Sequence, residues 1–506
     1  MAKTYRIFPG IGIARVGNSP DGFFLAPEVP GLGPLELTPD DLVRPVHEFK
    51  DPNRKLRRQA ARFRVFEFDS ITGSAREIVV GAGVQIEWRV ELANEKAAAG
   101  RFESETVPES AIPRNPNVPQ ADLIIKPTFA AISGTSQNRQ GNPSGKFKGQ
   151  AVYLGELRTD GKGRLIVLGG YGDSASIPPN KPVGTGGNNN NFANSEFWHD
   201  DVSDGPVTAT VKIVGQPDEQ ADSAWVIVAP PDFSPYTNGI ATMYDVAAQA
   251  GGTAAPAAPS FQDDVFPILN AATRLRWVSK LKKFSNLSQD WNTLSQKGNV
   301  ASDDLRQATF LGIMSLETGH SLANFRFTAN QRTVLSNWAK GNFVIGYNPA
   351  APVSQVTPNG LDLASLSVSV GGGFFPGIEA GIRMTVPGMY RSPFRITNMP
   401  FTFAGVTVIP HPGFITRNMA CPWQADFFEC ENQSVTSVWW PAQRPIEIFV
   451  DPSLQSNPRW DDSIPDHQAL VDNYWKLGII LPSDFTNPGL AQPLLEVDRD
   501  PSVPHV

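Results

Sequence analysis

The first half of the chain alternates short apolar runs with turn residues, which is the pattern of β-strands. Four runs show it most clearly: VQIEWRVEL (84–92), GRLIVLGGYG (163–172), TATVKIVG (208–215) and AWVIVAPP (224–231). Gly, Pro or Asn residues separate them, as expected for strands joined by turns. The pattern predicts packed antiparallel sheets in a β-rich region over residues 1–246.

The apolar period changes after the stretch AAQAGGTAAPAAPS, whose Ala, Gly and Pro content predicts a linker over 247–260. Residues 265–284 and 328–341 repeat apolar positions at three and four. The second run begins with a threonine and ends at a glycine, both helix-boundary signals. We therefore predict a helical segment over 261–345 and a turn-rich, cofactor-bearing region over 346–506. The predicted fold is α+β and predominantly β.

Composition limits the classes of partner and compartment. The chain has 506 residues, 41% of them hydrophobic and 18% charged, which is typical of a globular protein. Its net charge is −7 and it has no long basic run, so nucleic acid is a poor partner. The N-terminus lacks the apolar core of a signal peptide, and no 18-residue apolar run is present. We expect a cytoplasmic protein without membrane association, with export by an atypical route left open.

Both cysteines of the chain lie in one ten-residue stretch, CPWQADFFEC (421–430). Two unlinked thiols, a local disulfide and a functional cysteine are all compatible with this spacing. If ADFFEC is helical, Asp426 and Cys430 project from one face, and the carboxylate could accept the thiol proton. The residues alone leave the three alternatives open.

Other polar motifs have weaker signals. The six histidines lack the i, i+2 or i, i+4 spacing of metal ligands, so no metal site is predicted. Three aspartates in WHDDVSDGPV (198–207) fit a capped turn before a strand better than a calcium loop. The asparagine-rich stretch 181–191 predicts a surface loop that could rim a pocket. Tyr171 follows an apolar run among glycines, which makes it a candidate for lining that pocket.

Several longer stretches together resemble a known family. They run nearly end to end and are IFPGIGIARVGNS (7–19), RLIVLGGYGDS (164–174), WHDDVSDGPVTATV (198–211), LRWVSKL (275–281), GGGFFPGIE (371–379), RNMACPWQADFFEC (417–430), WWPAQRP (439–445) and NYWKLGII (473–480). Through these stretches the chain resembles the cysteine tryptophylquinone-dependent amino-acid oxidases, a group of quinoproteins that includes L-lysine ε-oxidase and glycine oxidase.

The resemblance implies a cofactor made from the chain's own side chains. The family's D-x-x-x-C element falls on Asp426 and Cys430, so Cys430 is the expected crosslinked cysteine and Asp426 its partner in biogenesis. Trp475 is the expected tryptophan of the cysteine tryptophylquinone. Trp439 and Trp440 are the alternatives, but WWPAQRP fits better as part of the wall around the site.

The activity implied is the oxidative deamination of an amino acid or another primary amine. A Schiff base would form on the quinone, Asp426 would take the Cα proton, and dioxygen would reoxidise the cofactor, giving hydrogen peroxide and ammonia. Tyr171 is a predicted substrate-binding residue, as are Arg444, for the substrate carboxylate, and His467, for orientation or proton exchange. A flavoprotein maturation partner and a homo-oligomer are also implied.

Two other classes of function compare with the sequence as follows. A family member without the modification would be a binding or structural β-protein, with the same fold and an unmodified Cys430. A copper amine oxidase needs three histidine ligands and an N-Y-D/E motif, which NYWK (473–476) does not provide.

Overall fold

The N-terminal half forms a large β-sheet, as the strand pattern predicts. The structure is a computed structural model that describes residues 3–101, 112–128, 131–139, 145–184, 192–280, 282–317, 327–349, 356–371, 380–403, 405–432, 442–450, 457–484 and 492–506. Its strands are β1 Lys3–Phe8, β2 Ile11–Arg15, β3 Phe23–Leu25, β4 Leu35–Leu37, β5 Val43–Pro45, β6 Arg58–Asp69, β7 Ala75–Ile78, β8 Val84–Val90, β9 Ile132–Ser133, β10 Asn138–Arg139, β11 Gly145–Phe147, β12 Gln150–Val152, β13 Glu156–Thr159, β14 Leu165–Leu168, β15 Ser174–Ser176, β16 Trp198–Asp200, β17 Ser203–Ile213, β18 Glu219–Gln220, β19 Ala224–Ala229, β20 Tyr390–Ser392, β21 Arg395–Ile396, β22 Phe401–Phe403, β23 Val406–Val408, β24 Ile479–Pro482 and β25 Leu494–Val497.

The longest strand, β6, organises this sheet. It has 12 residues and pairs with β1, β2, β3, β7 and β14. The main path through the sheet runs β10-β13-β14-β6-β2-β19-β17-β8-β9. The predicted predominance of β-structure in an α+β fold is confirmed. Two pairings, β2 with β19 and β3 with β6, are parallel rather than antiparallel. In both cases the partners are distant in sequence, so no tight hairpin imposes antiparallel pairing.

The middle of the chain is helical where the apolar period changes. The 328–341 prediction is confirmed: the Thr328 side chain accepts a hydrogen bond from the N–H of Gln331, and Gly341 follows with a φ of +79°. The 265–284 run is helical but broken, with a 3₁₀ turn at Leu275–Trp277. The helices are α1 Met243–Ala250, α2 Phe266–Arg274, α3 Lys282–Ser285, α4 Trp291–Leu294, α5 Val300–Met314, α6 Ala329–Ala339, α7 Pro358–Ser367, α8 Trp423–Asn432 and α9 His467–Asn473.

The first residues of the predicted linker, 247–250, are helical in the structure. Helix α1 extends through Ala250, because Thr242 and Asp245 form a capping box and the alanines that follow favour a helix. One continuous hydrophobic core includes residues of the sheet, the helical segment and the C-terminal region, from Tyr5 to Val503. The division into separate regions therefore stays a prediction. No helix within the described residues combines the length and apolar character needed to cross a bilayer.

A buried ion-pair network lies on one face of the sheet. The carboxylate of Glu28 accepts hydrogen bonds from Arg62 Nε at 2.8 Å and from Arg64 Nη2 at 2.7 Å. Arg62 also pairs with Asp160 at 3.1 Å. All four side chains are buried. Burial alone would raise the pKa of Glu28, but the hydrogen bonds and charges of the two arginines outweigh it and lower that pKa.

The first prediction concerns this network. Glu28→Ala should lower the free energy of unfolding at pH 7 by about 3–5 kcal/mol, because it leaves two buried guanidinium groups without their shared partner. The lowered pKa means that Glu28 stabilises the fold above its unfolded value of 4.5 and loses this contribution as pH falls below it. The effect of the substitution should therefore shrink in acid. Denaturant titration at several pH values measures both quantities.

Glu87→Ala is the matched control. Glu87 pairs with Arg89 at 2.7 Å and Lys212 at 3.2 Å at the surface. Its loss should cost less than about 1 kcal/mol. Equal losses for the two variants would contradict the assigned role of the buried network.

Candidate active site

Helix α8 carries the cysteine motif. The predicted helical conformation of ADFFEC is confirmed, since α8 spans Trp423–Asn432. Asp426 lies in its first turn with a buried side chain, four residues before Cys430 and so on the same side of the helix. Only the backbone of Cys430 lies within the described part of the chain. Cys421 is a fully buried thiol that donates to the Trp198 carbonyl oxygen at 3.3 Å, and burial raises its pKa to about 12.

Helix α9 lies against α8 in the antiparallel direction. The ring of Phe428 is 4.6 Å from that of His467 at the start of α9. At the other end, the ring of Trp423 is 5.0 Å from that of Tyr474, which follows α9. Nε2 of His467 lies 3.2 Å from Oε2 of Glu429, off the line of a hydrogen bond. His467 therefore lies beside the last turns of α8, where the cysteine is.

Trp475 lies near the opposite end of α8. It belongs to the 3₁₀ turn Tyr474–Lys476, and its half-buried indole ring has the Lys55 ammonium 3.8 Å from its centroid. Cys430 is seven residues after Trp423, about 10 Å further along the helix axis. The described geometry thus brings His467, rather than Trp475, next to the cysteine turn. The assignment of Trp475 stays a prediction. Trp439 and Trp440 lie outside the described residues.

Arg444 is a core residue in this structure. Its guanidinium group is fully buried and donates to the carbonyl oxygen of Phe427 at 2.7 Å and to Asp461 Oδ2 at 2.7 Å. A substrate carboxylate would have to displace Asp461 to use it. In this structure Arg444 ties the 442–448 segment to α8, and its role in binding the substrate carboxylate stays a prediction. This tie also keeps the chain that follows Trp439 and Trp440 beside Phe427, one turn before Cys430.

Tyr171 lies in the turn after β14. Its half-exposed ring stacks on Tyr153 with centroids 4.7 Å apart and an interplanar angle of 12°. The guanidinium carbon of Arg58 lies 4.9 Å from the Tyr171 centroid. The Tyr474 hydroxyl donates to the Tyr171 carbonyl oxygen at 3.0 Å. Tyr171 is thus brought next to the 3₁₀ turn that carries Trp475, with part of its ring open to solvent.

Helix α8 is bonded directly to the same turn. Gln424 Nε2 donates to the Gly172 carbonyl oxygen at 3.3 Å, and the Ser174 hydroxyl donates to Gln424 Oε1 at 2.7 Å. The carboxylate of Asp173 has no hydrogen-bond or ion-pair partner among the described residues, and its side chain is open to solvent. Surrounding protein nevertheless raises the pKa of Asp173.

Three buried aspartates were the main residues that the sequence interpretation missed. It assigned Asp200, Asp201 and Asp204 to a capped turn, but each carboxylate bonds to a distant segment. Asp200 accepts from the Trp423 N–H at 3.0 Å and from Asn94 Nδ2 at 2.7 Å, and it pairs with the buried ammonium group of Lys96. The available signal was a run of acids flanked by apolar residues of buried strands.

The other two aspartates anchor the turn after β14 and the approach to α8. Asp201 Oδ2 accepts from the N–H groups of Gly172 at 2.7 Å and Asp173 at 3.1 Å. Asp204 accepts from the Thr416 N–H at 2.8 Å and the Trp225 indole N–H at 2.9 Å. Burial raises the pKa of Asp204 to about 6 despite these hydrogen bonds.

The chemistry of the site is that of carboxylates and aromatic rings. Across the described ranges, no three His, Cys, Asp or Glu side chains are grouped so that they could hold a metal ion. The residues fit a cofactor built on α8: a buried acid precedes the cysteine by one turn, and Asp200 bonds to the first backbone N–H of the helix. A buried carboxylate in this position can accept a proton from carbon or sulfur.

The second prediction tests the contact between the Tyr171 turn and Tyr474. Gly172 has a φ of +77°, and an added Cβ would lie 2.0 Å from the Tyr474 hydroxyl oxygen. Gly172→Ala should lower the free energy of unfolding by about 2–4 kcal/mol through backbone strain and overpacking. Denaturant titration measures the loss.

Gly73→Ala separates the two causes. Gly73 has a φ of +68° but nothing within 4 Å of an added Cβ. Gly73→Ala should therefore lower the free energy of unfolding by the cost of backbone strain alone, about 1–2 kcal/mol. Adding Tyr474→Phe to Gly172→Ala should recover part of the difference, and no recovery would contradict the assigned contact.

Comparisons of the sequence with protein families and with a known protein point to the same family. Residues 8–228 match the L-lysine epsilon oxidase N-terminal domain, and residues 315–449 match the L-lysine epsilon oxidase C-terminal domain. The chain is 29% identical to the L-lysine 6-oxidase of Marinomonas mediterranea, covering 85% of this chain and 71% of that protein.

Solved structures show the same fold. The ε-lysine oxidase of Marinomonas mediterranea has a TM-score of 0.79 at 23% identity, covering 98% of this chain and 95% of that one. A second structure, the Schiff base intermediate of that enzyme with L-Lys, has a TM-score of 0.77 at 22% identity, with the same coverage of both chains. The resemblance predicted from the sequence is confirmed. The chain belongs to the L-lysine ε-oxidase family and is an amino-acid oxidase.

Proposed function

We propose that this quinoprotein oxidises an amino acid at a carbon that bears a primary amine, using a cysteine tryptophylquinone that includes Cys430. The observation that carries the proposal is the buried Asp426 one helical turn before Cys430 on α8, in a chain that matches both domains of the oxidase family. The name of the relative, L-lysine 6-oxidase, makes the ε-amine of lysine the first substrate to screen.

The quinone would supply an electrophilic carbonyl that accepts an electron pair from the substrate amine. Dioxygen would take up that electron pair and leave as hydrogen peroxide, and water would release the carbonyl product and ammonia. The side chains bind the substrate and move its protons. Asp426 accepts the proton from the carbon that bears the amine, since burial keeps water away from that carboxylate. Tyr171 offers the substrate an aromatic face. His467 lies close enough to the cysteine turn to orient the reacting groups.

The tryptophan that joins Cys430 in the cofactor is part of this proposal. Trp475 is the candidate from the resemblance, and Trp439 and Trp440 are the alternatives, since the segment after them is tied to Phe427 through Arg444. A flavoprotein that installs the quinone oxygens is the proposed maturation partner. A homo-oligomer and a cytoplasmic location stay predictions from the sequence.

The third prediction is the mass of the cofactor peptide. In a digest of protein matured in its native host, Cys430 and one tryptophan should occur as a crosslinked pair about 28 Da heavier than the two peptides together, from two added oxygens and four lost hydrogens. Fragmentation of that pair identifies the tryptophan. Unmodified Cys430 in native protein would overturn the oxidase mechanism and favour a binding or structural role.

The fourth prediction concerns Asp426. Asp426→Asn keeps the size of the side chain but removes the base, so the rate of peroxide formation should fall by about 10²–10⁴-fold. A coupled peroxide assay measures this rate, and the digest shows whether the crosslink still forms. The control is Asp472→Asn, which makes the same change on the exposed side of α9. An active Asp426→Asn enzyme with normal rates would exclude Asp426 as the base.

A further inference from the structure

The carboxyl group of Asp201 is fully buried behind the Tyr171 turn, where it does not reach solvent. Its Oδ2 accepts both hydrogen bonds, from the N–H groups of Gly172 and Asp173. Its Oδ1 has no hydrogen-bond partner among the described residues. The Cα of Gly170 lies so close to the Asp201 carboxyl group that an added Cβ would be 2.2 Å from Oδ2. Backbone and carboxyl group are thus fitted to one another over four consecutive residues.

The turn is held from two further sides. Gln424 of α8 bonds to the Gly172 carbonyl oxygen, and the Tyr474 hydroxyl bonds to the Tyr171 carbonyl oxygen. Of the three side chains that hold the turn, Asp201 is the one that belongs to the sheet region, two residues before β17. Because the backbone on both sides of the Tyr171 side chain is fixed, its ring has a defined direction against Tyr153.

We propose that Asp201 is a positioning residue for substrate binding: through the N–H groups of Gly172 and Asp173 it holds the turn that presents the Tyr171 ring to the substrate. The inference rests on the proposed oxidase function, in which Tyr171 lines the substrate site. Asp201 acts through the turn and does not touch the substrate.

The pattern of hydrogen bonds defines the form in which Asp201 acts. Both N–H groups donate to Oδ2, whereas Oδ1 is buried without a donor. A negative charge on this carboxyl group would therefore be poorly compensated. Burial, followed by the charges of Asp173 and Asp200, raises the pKa of Asp201 well above its usual range. Both observations favour the neutral form of Asp201. An asparagine reproduces that arrangement, since its amide oxygen can accept the same two hydrogen bonds.

The fifth prediction follows. Asp201→Ala should raise the KM for the amine substrate by about tenfold or more, while the fraction of crosslinked peptide stays at the wild-type level. Asp201→Asn should keep KM within about twofold of wild type, because it keeps the acceptor. Amide hydrogen exchange in a peptide spanning 169–174 should accelerate in the alanine variant and not in the asparagine variant.

Asp362→Ala is the matched control. Asp362 is also a buried acid whose Oδ1 accepts one backbone N–H, from Gly10 at 2.6 Å, and it lies on α7. It should reduce thermal stability by a comparable amount and leave KM unchanged. An unchanged KM in Asp201→Ala, or an equal rise in Asp362→Ala, would overturn the positioning role.

A second pair of variants covers the case in which Asp201→Ala does not fold. Tyr474→Phe removes only the hydroxyl that bonds to the Tyr171 carbonyl oxygen, whereas Tyr390→Phe removes a buried hydroxyl that bonds to the Met384 carbonyl oxygen at 2.8 Å. Tyr474→Phe should raise KM and speed exchange over 169–174, and Tyr390→Phe should do neither. If both behave alike, the inference fails. If the wild-type protein forms no peroxide, the proposed function fails, and the exchange measurement still decides whether Asp201 holds the turn.

Discussion

The arrangement of the site depends on three buried acidic side chains that lie between the end of β16 and the start of β17. Asp200 bonds to the first N–H of α8, Asp201 to the turn after β14, and Asp204 to residues 415–416. These are contacts between segments more than 200 residues apart, except for that of Asp201. A hydrogen bond contributes about 0.5–1.5 kcal/mol to stability, and more where the acid is charged, whereas leaving its buried donor unpaired costs about 1–3 kcal/mol. The sheet therefore determines where the cysteine helix begins and in which direction it runs.

The same constraint explains how distant parts of the chain meet at one place. Helix α8 carries Asp426 and Cys430, the turn after β14 carries Tyr171, and α9 with the 3₁₀ turn after it carries His467 and Trp475. Hydrogen bonds of Gln424 and Tyr474 join the three elements. Since side chains can be held accurately only where their supporting backbone is fixed, a site built on these tied elements suits a reaction that needs fixed geometry.

Charge is distributed in two different ways in the interior. On the sheet, Glu28 and Asp160 pair with arginines, so the network keeps its charges balanced. Around the Tyr171 turn, neither the buried Asp201 nor the solvent-exposed Asp173 has a cationic partner among the described residues, and the surrounding protein raises the pKa of both acids. Burial also raises the pKa of acids away from this turn, such as Asp204 and Asp362. The interior therefore holds both charge-balanced acids and acids whose pKa burial raises.

Local patterns in the sequence were sufficient for much of the fold. Apolar runs between turn residues determined strands such as β8, β14, β17 and β19, and threonine and glycine signals determined the bounds of α6, because these features act over a few residues. The four-residue spacing of Asp426 and Cys430 was enough to place them on one side of a helix. Family membership followed from longer motifs in the same way.

Tertiary structure alone decided which polar groups pair with one another. The sequence made Arg444 a candidate for binding the substrate carboxylate, and in the fold Phe427 and Asp461 accept its hydrogen bonds. The aspartates at 200, 201 and 204 looked like turn residues, yet their partners are far away in the chain. The antiparallel packing of α8 and α9 determines that His467 lies near the cysteine turn, and that Tyr474, the residue before Trp475, packs on Trp423. Such contacts depend on how segments hundreds of residues apart pack, and a local pattern carries no information about that packing.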